Sequence, residues 1–220
     1  MARDTTAKRW WTPAFRSRVW WMGALFAIGS LCFAVGAMPL YAQWVDVTID
    51  SLTFFVGSIF FTSAALLQLL ESRASGTRTD VWASGIQFVG TLFFNATTFY
   101  ALNTSWDATE ADKYVWRPDA LGSICFLISS AMVYEVFAKP GRFDSWLPHR
   151  RDWWIAILNF GGSVAFGISA IASYIVPSTG EIRSAQYTNL GTFVGAIGFF
   201  LGAVLVLIDR VRPQPTPELA

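Results

Sequence analysis

Four amides and three carboxylates are the residues on which this chain could build chemistry. Gln68, Gln87, Asn95 and Asn159 lie inside long apolar runs, where a polar side chain is costly and tends to mark function. Gln87 and Asn159 each fall five residues after a tryptophan, Trp82 and Trp154, and Phe26 stands at the same distance from Trp21. An amide donates and accepts hydrogen bonds. These positions therefore either tie one helix to another, at about 1 kcal/mol or less, or line a path for a solute. Glu71, Glu135 and Asp209 recur at the ends of alternate apolar runs, and Arg18, Arg78 and Arg151 open the others. A carboxylate at a helix C-terminus opposes the macrodipole at a cost of about 0.3–1 kcal/mol, so it calls for a partner. The spacing predicts a cytoplasmic girdle of ion pairs joining successive helix pairs. The alternative is a ring of carboxylates that draws cations to a pore mouth.

Covalent and metal chemistry have little to work with. The single histidine, His149, stands beside Arg150 and Arg151, and Cys32 and Cys125 sit in apolar runs where they read as small buried hydrophobes. Zinc-ligand spacing, a P-loop and a dinucleotide-binding glycine pattern are missing, as is a Gly-x-Ser-x-Gly elbow. The expectation is a protein that is not an enzyme, with no catalytic residues, no metal and no cofactor. A net charge of +1 argues against nucleic acid as a partner.

The elements that must position these residues are membrane helices. Charged residues make up 14% of the 220-residue chain, against about 25% in a soluble domain. Six apolar stretches are long enough to cross a bilayer, which takes about 20 residues: Val19–Met38, Ser51–Leu70, Val81–Leu102, Asp119–Ala138, Trp153–Val176 and Thr188–Ile208. Pro39, Pro140 and Pro177 close spans one, four and five, and Pro118 precedes span four. The first run is too long for the apolar core of a cleaved leader and reads as a span. Lys and Arg concentrate before span one, after spans two and four, and in the tail, whereas the opposite side holds only Lys113, Arg117 and Arg183. That asymmetry puts both termini in the cytoplasm. The tryptophans lie near span ends or in loops, where an indole suits the headgroup region. Residues 1–18, with Lys8, Arg9, Trp10, Trp11 and Phe15, read as an interfacial anchor on the anionic leaflet. Residues 210–220 read as a disordered, proline-rich tail. The outer loop from Asn103 to Arg117 reads as a solvated segment on the bilayer surface, with a docking surface as the alternative.

Two motifs recur three times in matched order. The odd spans share Trp, seven residues, Gly, Ser or Thr, two residues and Phe: Trp21/Gly29/Ser30/Phe33, Trp82/Gly90/Thr91/Phe94 and Trp154/Gly162/Ser163/Phe166. The even spans share Gly, a small residue, Ile, any residue and Phe: Gly57/Ser58/Ile59/Phe61, Gly122/Ser123/Ile124/Phe126 and Gly195/Ala196/Ile197/Phe199. The chain thus reads as three tandem two-helix hairpins over 19–71, 78–138 and 151–209. All three have one orientation, which suggests a pseudo-threefold bundle, although a row of hairpins meets the same pattern. In lipid, helices associate through close packing and interhelical hydrogen bonds. The Gly–Ser pairs are therefore read as the contact within each hairpin, with the Phe filling space beside it. The competing reading makes Ser30, Thr91 and Ser163 a hydroxyl ring around a pore.

The string from Phe55 to Ala65, followed by Gln68, resembles the YrhK-like family of small bacterial integral membrane proteins. The tryptophan-rich start of span one before Gly29-Ser30 is similar to the same family's first helix. The likeness is strongest over residues 18–71 and weaker in the later hairpins, where Gly198 and Gly202 depart from the pattern. No activity is assigned to that family, so the resemblance implies a multi-pass protein of a bacterial plasma membrane and brings no catalytic residues. Two functions fit: a scaffold or accessory subunit that meets the lipid bilayer and a membrane-protein partner or further copies of itself, or a small channel or transporter with a polar path between the hairpins.

Overall fold

The computed structural model describes residue 15, residues 17–138 and residues 151–209, without the side chains of 136–138 and 209. Most of the interfacial segment, the tail, His149 and the carboxylate of Asp209 lie outside the described residues. Within them the protein is helical, with one isolated antiparallel bridge between Ile175 and Ile182. Six long helices are α1 (Arg18–Gly36), α3 (Val47–Ser75), α4 (Arg78–Tyr100), α6 (Arg117–Ala138), α7 (Arg151–Ala172) and α8 (Ala185–Asp209); the short α2 (Pro39–Trp44) and α5 (Ala108–Ala111) sit in the loops.

Side chains at the helix starts explain several boundaries. Ser17 caps α1, and the Asp46 carboxylate caps α3 by accepting the amide hydrogens of Thr48 and Ile49. These bonds satisfy donors that a helix start leaves open. The amides of Ile49 and Thr48 hold the Asp46 carboxyl below the usual carboxylate range. Thr77 and Asp80 form a reciprocal capping box on α4. Pro39 does not only end α1; it opens α2 as its first residue.

Several boundaries differ from the sequence expectation. The outer loop from Asn103 to Arg117 is largely helical: α5 runs into a π-helical turn at Asp112–Trp116, which leads directly into α6. Pro118 is therefore the second residue of α6, not a residue ahead of it. The turn carries the Trp116 indole onto α7, where it donates to the Ala170 carbonyl at 2.9 Å. Span five also ends early. α7 stops at Ala172, and the next residues form a hydrogen-bonded loop that turns at Gly180, where φ is 71°.

Four helices, α1, α3, α7 and α8, are long and apolar enough to cross a membrane. α4 and α6 have comparable length, 23 and 22 residues, but carry more polar side chains. Those side chains point inward: Ser84, Thr91 and Thr98 of α4 and Ser123, Ser129 and Ser130 of α6 are buried. Val89, Leu92 and Phe99, and Leu121, Ile124 and Ile128, are exposed on the outside of the same two helices.

α1 packs on α3, α4 on α6 and α7 on α8. Between these pairs, α3 meets α4, α6 meets α7 and α8 returns to α1. The six long helices thus close into a ring, which excludes a row of hairpins. The three glycine contacts are alike. A Cβ at Gly29 would lie 2.9 Å from the Gly57 carbonyl oxygen, one at Gly122 would lie 3.1 Å from that of Gly90, and one at Gly195 would lie 2.9 Å from that of Gly162. Glycine is needed because any side chain there would push two backbones apart.

Candidate functional site

The inward faces of the ring decide what the bundle can do. The six motif phenylalanines, Phe33, Phe61, Phe94, Phe126, Phe166 and Phe199, are each at most 7% exposed. They meet one another across the axis with ring centroids 5.1 to 6.4 Å apart. Those separations are the preferred range for aromatic pairs, and such pairs contribute about 0.5–1.5 kcal/mol each beyond their buried area. The rings offer no hydrogen-bond donor or acceptor to a passing ion or polar solute. The phenylalanines therefore do more than fill space beside the glycine contact: they form one apolar layer across the centre of the bundle.

The motif hydroxyls do not form a polar ring. Thr91 and Ser163 donate to carbonyls of their own helices, Phe88 at 2.7 Å and Asn159 at 2.9 Å, and the buried Ser30 hydroxyl has no partner. The even-helix serines, read from sequence as part of the contact within a hairpin, face the next hairpin instead. Ser58 on α3 bonds Thr98 on α4 at 2.9 Å, and Ser123 on α6 donates to the Phe166 carbonyl on α7 at 3.4 Å. In hairpins one and two the even-helix motif thus serves two interfaces: its glycine closes the hairpin and its serine meets the neighbour; hairpin three has Ala196 at that place.

On one side of the phenylalanine layer lies a vestibule. It has two adjoining lobes of about 80 and about 230 Å³, which share Gln68, Gln87, Ile155, Asn159 and Phe199. Phe126 and Phe199 form its floor, and Asp152, the second residue of α7, lies toward the end where α1, α4 and α7 begin. Three of the four amides singled out from sequence meet here. Asn95 does not: it is absent from the lining, and its side-chain oxygen is buried without a partner. Equivalent positions of the three hairpins surround the vestibule. Phe26, Gln87 and Asn159 come from the odd helices, and Gln68, Val133 and Val206 from the even ones. Ser129, which no motif flagged, donates to the Ala83 carbonyl at 2.8 Å and reaches Gln87 Oε1 at 3.4 Å.

The charged girdle takes a different form from the expected one. Arg18 pairs with Glu71 at 3.3 Å, but these residues belong to α1 and α3 of one hairpin and do not join neighbours. Both side chains are over a third exposed or close to it, so solvent screens the pair and its contribution is small. Among the described residues Arg78 and Glu135 form no ion pair. Arg151 is engaged in an interaction of its own. On the opposite side Arg117 pairs locally with Asp112 at 2.9 Å.

No family model, curated protein or solved structure matches the chain.

Proposed function

We propose that this chain is a non-enzymatic polytopic membrane protein that acts as a scaffold or accessory subunit of a membrane assembly. Its six long helices cross the bilayer as three hairpins about a pseudo-threefold axis, with both termini in the cytoplasm. The observation that carries this reading is the phenylalanine layer: a bundle whose axis is filled by six interlocked rings is built for stable packing rather than for a permanent path. The buried serines and threonines of α4 and α6, set against their apolar outer faces, support membrane crossing by those two helices as well. Inside a closed ring these hydroxyls are shielded from lipid and lie at helix contacts, where polar side chains of membrane helices are placed. The clustering of Lys and Arg supports the orientation, and the likeness to YrhK-like proteins supports a bacterial plasma membrane.

The transporter reading draws support from one feature, the vestibule with Gln68, Gln87 and Asn159. It requires the phenylalanine rings to part during a cycle. Reconstitution into liposomes separates the two. The scaffold reading expects potassium, proton and glycerol permeation at the rate of protein-free vesicles. It also expects a stoichiometric protein partner after mild-detergent extraction from the native membrane. Protein-dependent flux, with the chain extracted alone, would overturn it.

A further inference from the structure

The vestibule is more than slack left by imperfect packing. The side-chain amides of Gln68 and Asn159 line it and make no hydrogen bond to any described residue, and Gln87 receives only the long contact from Ser129. The polar atoms of Gln68 and Asn159 are not buried, so they face open space in the vestibule and not packed side chains. Val133 and Val206 stand at the positions equivalent to Gln68, so the fold accepts an apolar side chain where Gln68 places an amide. We infer that the vestibule is a closed-ended binding site for a small uncharged molecule bearing both hydrogen-bond donors and acceptors, admitted from the end of the bundle where α1, α4 and α7 begin.

Three observations define the ligand class. Each amide presents an NH2 and a carbonyl, so the site complements a molecule that both donates and accepts, such as an amide or a polyol. Among the described residues no Lys or Arg lines it, and the one titratable residue there, Asp152, is already engaged. An anion would thus meet no countercharge among the described lining residues, which disfavours it. The larger lobe, about 230 Å³, equals the liquid volume of roughly eight waters, which suits a compact solute and not a lipid. Phe126 and Phe199 close the inner end, so the molecule leaves by the way it came. This role is independent of the scaffold proposal, because binding here needs no flux and no partner.

Acetamide and acetate are matched probes, alike in shape and different in charge. Saturation-transfer NMR on the full chain in deuterated detergent should give a signal for acetamide and only background for acetate. Gln68→Val combined with Asn159→Leu should lower the acetamide signal at least threefold. Should that variant not melt cooperatively, Ile155→Phe, which narrows the cavity and keeps the amides, should lower it likewise. Background signal for acetamide with the unaltered protein, equal signals for the two probes, or a signal unchanged in the folded variant would each overturn the inference.

Discussion

Alanine at Gly195 and alanine at Gly161 should move stability in opposite directions, although both sit in hairpin three. A Cβ at Gly195 would lie 2.8 Å from Phe166 Cδ1 and 2.9 Å from the Gly162 carbonyl oxygen. Neither neighbour can give way. The carbonyl is part of the α7 backbone, and the Phe166 ring is stacked on Phe199 at 5.5 Å and held by Phe33, Phe94 and Phe126. Overpacking of this kind costs about 1–3 kcal/mol, and replacing a helical glycine by alanine returns about 1 kcal/mol. With backbone among the obstacles, a net loss of about 1–2 kcal/mol follows for Gly195→Ala. A Cβ at Gly161 meets nothing within 4 Å, so Gly161→Ala keeps the helix-propensity gain of up to about 1 kcal/mol. At about 2–4 °C per kcal/mol for a chain of this size, the two variants should differ in melting temperature by roughly 5–10 °C. Circular dichroism melts in mild detergent would measure this. Equal melting temperatures would refute the claim that the glycine contact is tight and the phenylalanine layer rigid.

Other contacts yield smaller effects. Thr98→Val removes the Ser58–Thr98 bond at 2.9 Å between hairpins one and two and should cost about 1 kcal/mol or less, visible as a small drop in melting temperature. Arg18→Ala and Glu71→Gln should each cost less than about 1 kcal/mol, and the loss should vanish in high salt; a large, salt-insensitive loss would point to an unrecognised network. The Asp46 cap responds to pH with a defined sign. Its folded-state carboxyl is held below the ordinary value, so its contribution is complete above about pH 4 and is lost as pH falls through the depressed value. The protection of the Thr48 and Ile49 amides against hydrogen exchange, taken relative to the intrinsic rate at each pH, should therefore fall at acid pH in the native protein, while Asp46→Ala should show low protection throughout.

The sequence made the hairpins legible because close backbone approach has a short signature. Gly29, Gly57, Gly90, Gly122, Gly162 and Gly195 recur at fixed distances from a phenylalanine, and only glycine fits where the structure brings carbonyl oxygens to about 3 Å. The periodicity did not reveal which neighbour each face meets. Ser58 and Gly57 are adjacent in the chain, yet one faces α4 and the other α1, because a helix turns about 100° per residue. Closure of the ring by α8 and α1 depends on the angles between hairpins, which no local pattern encodes. The Arg18–Glu71 pair differs from the expected girdle for the same reason: the helix that Arg18 reaches is its own partner, α3. The π-helical turn before α6 had no signal beyond the aromatic Tyr114 and Trp116. Of the amides, Gln87 and Asn159 were matched by repeat position, and Gln68 joined them only through the fold; Asn95 fell elsewhere.

Cysteine accessibility tests the central claim, a membrane bundle closed by its phenylalanine layer, most directly. With Cys32 and Cys125 replaced by alanine, Gln68→Cys places a thiol in the vestibule, on one side of the layer. A compact, membrane-impermeant cationic methanethiosulfonate should label it in inverted vesicles, where the cytoplasmic face is outward, and leave it unlabelled in right-side-out vesicles. Labelling from both faces would contradict the account, because the reagent would then have crossed the axis that the six rings are held to close.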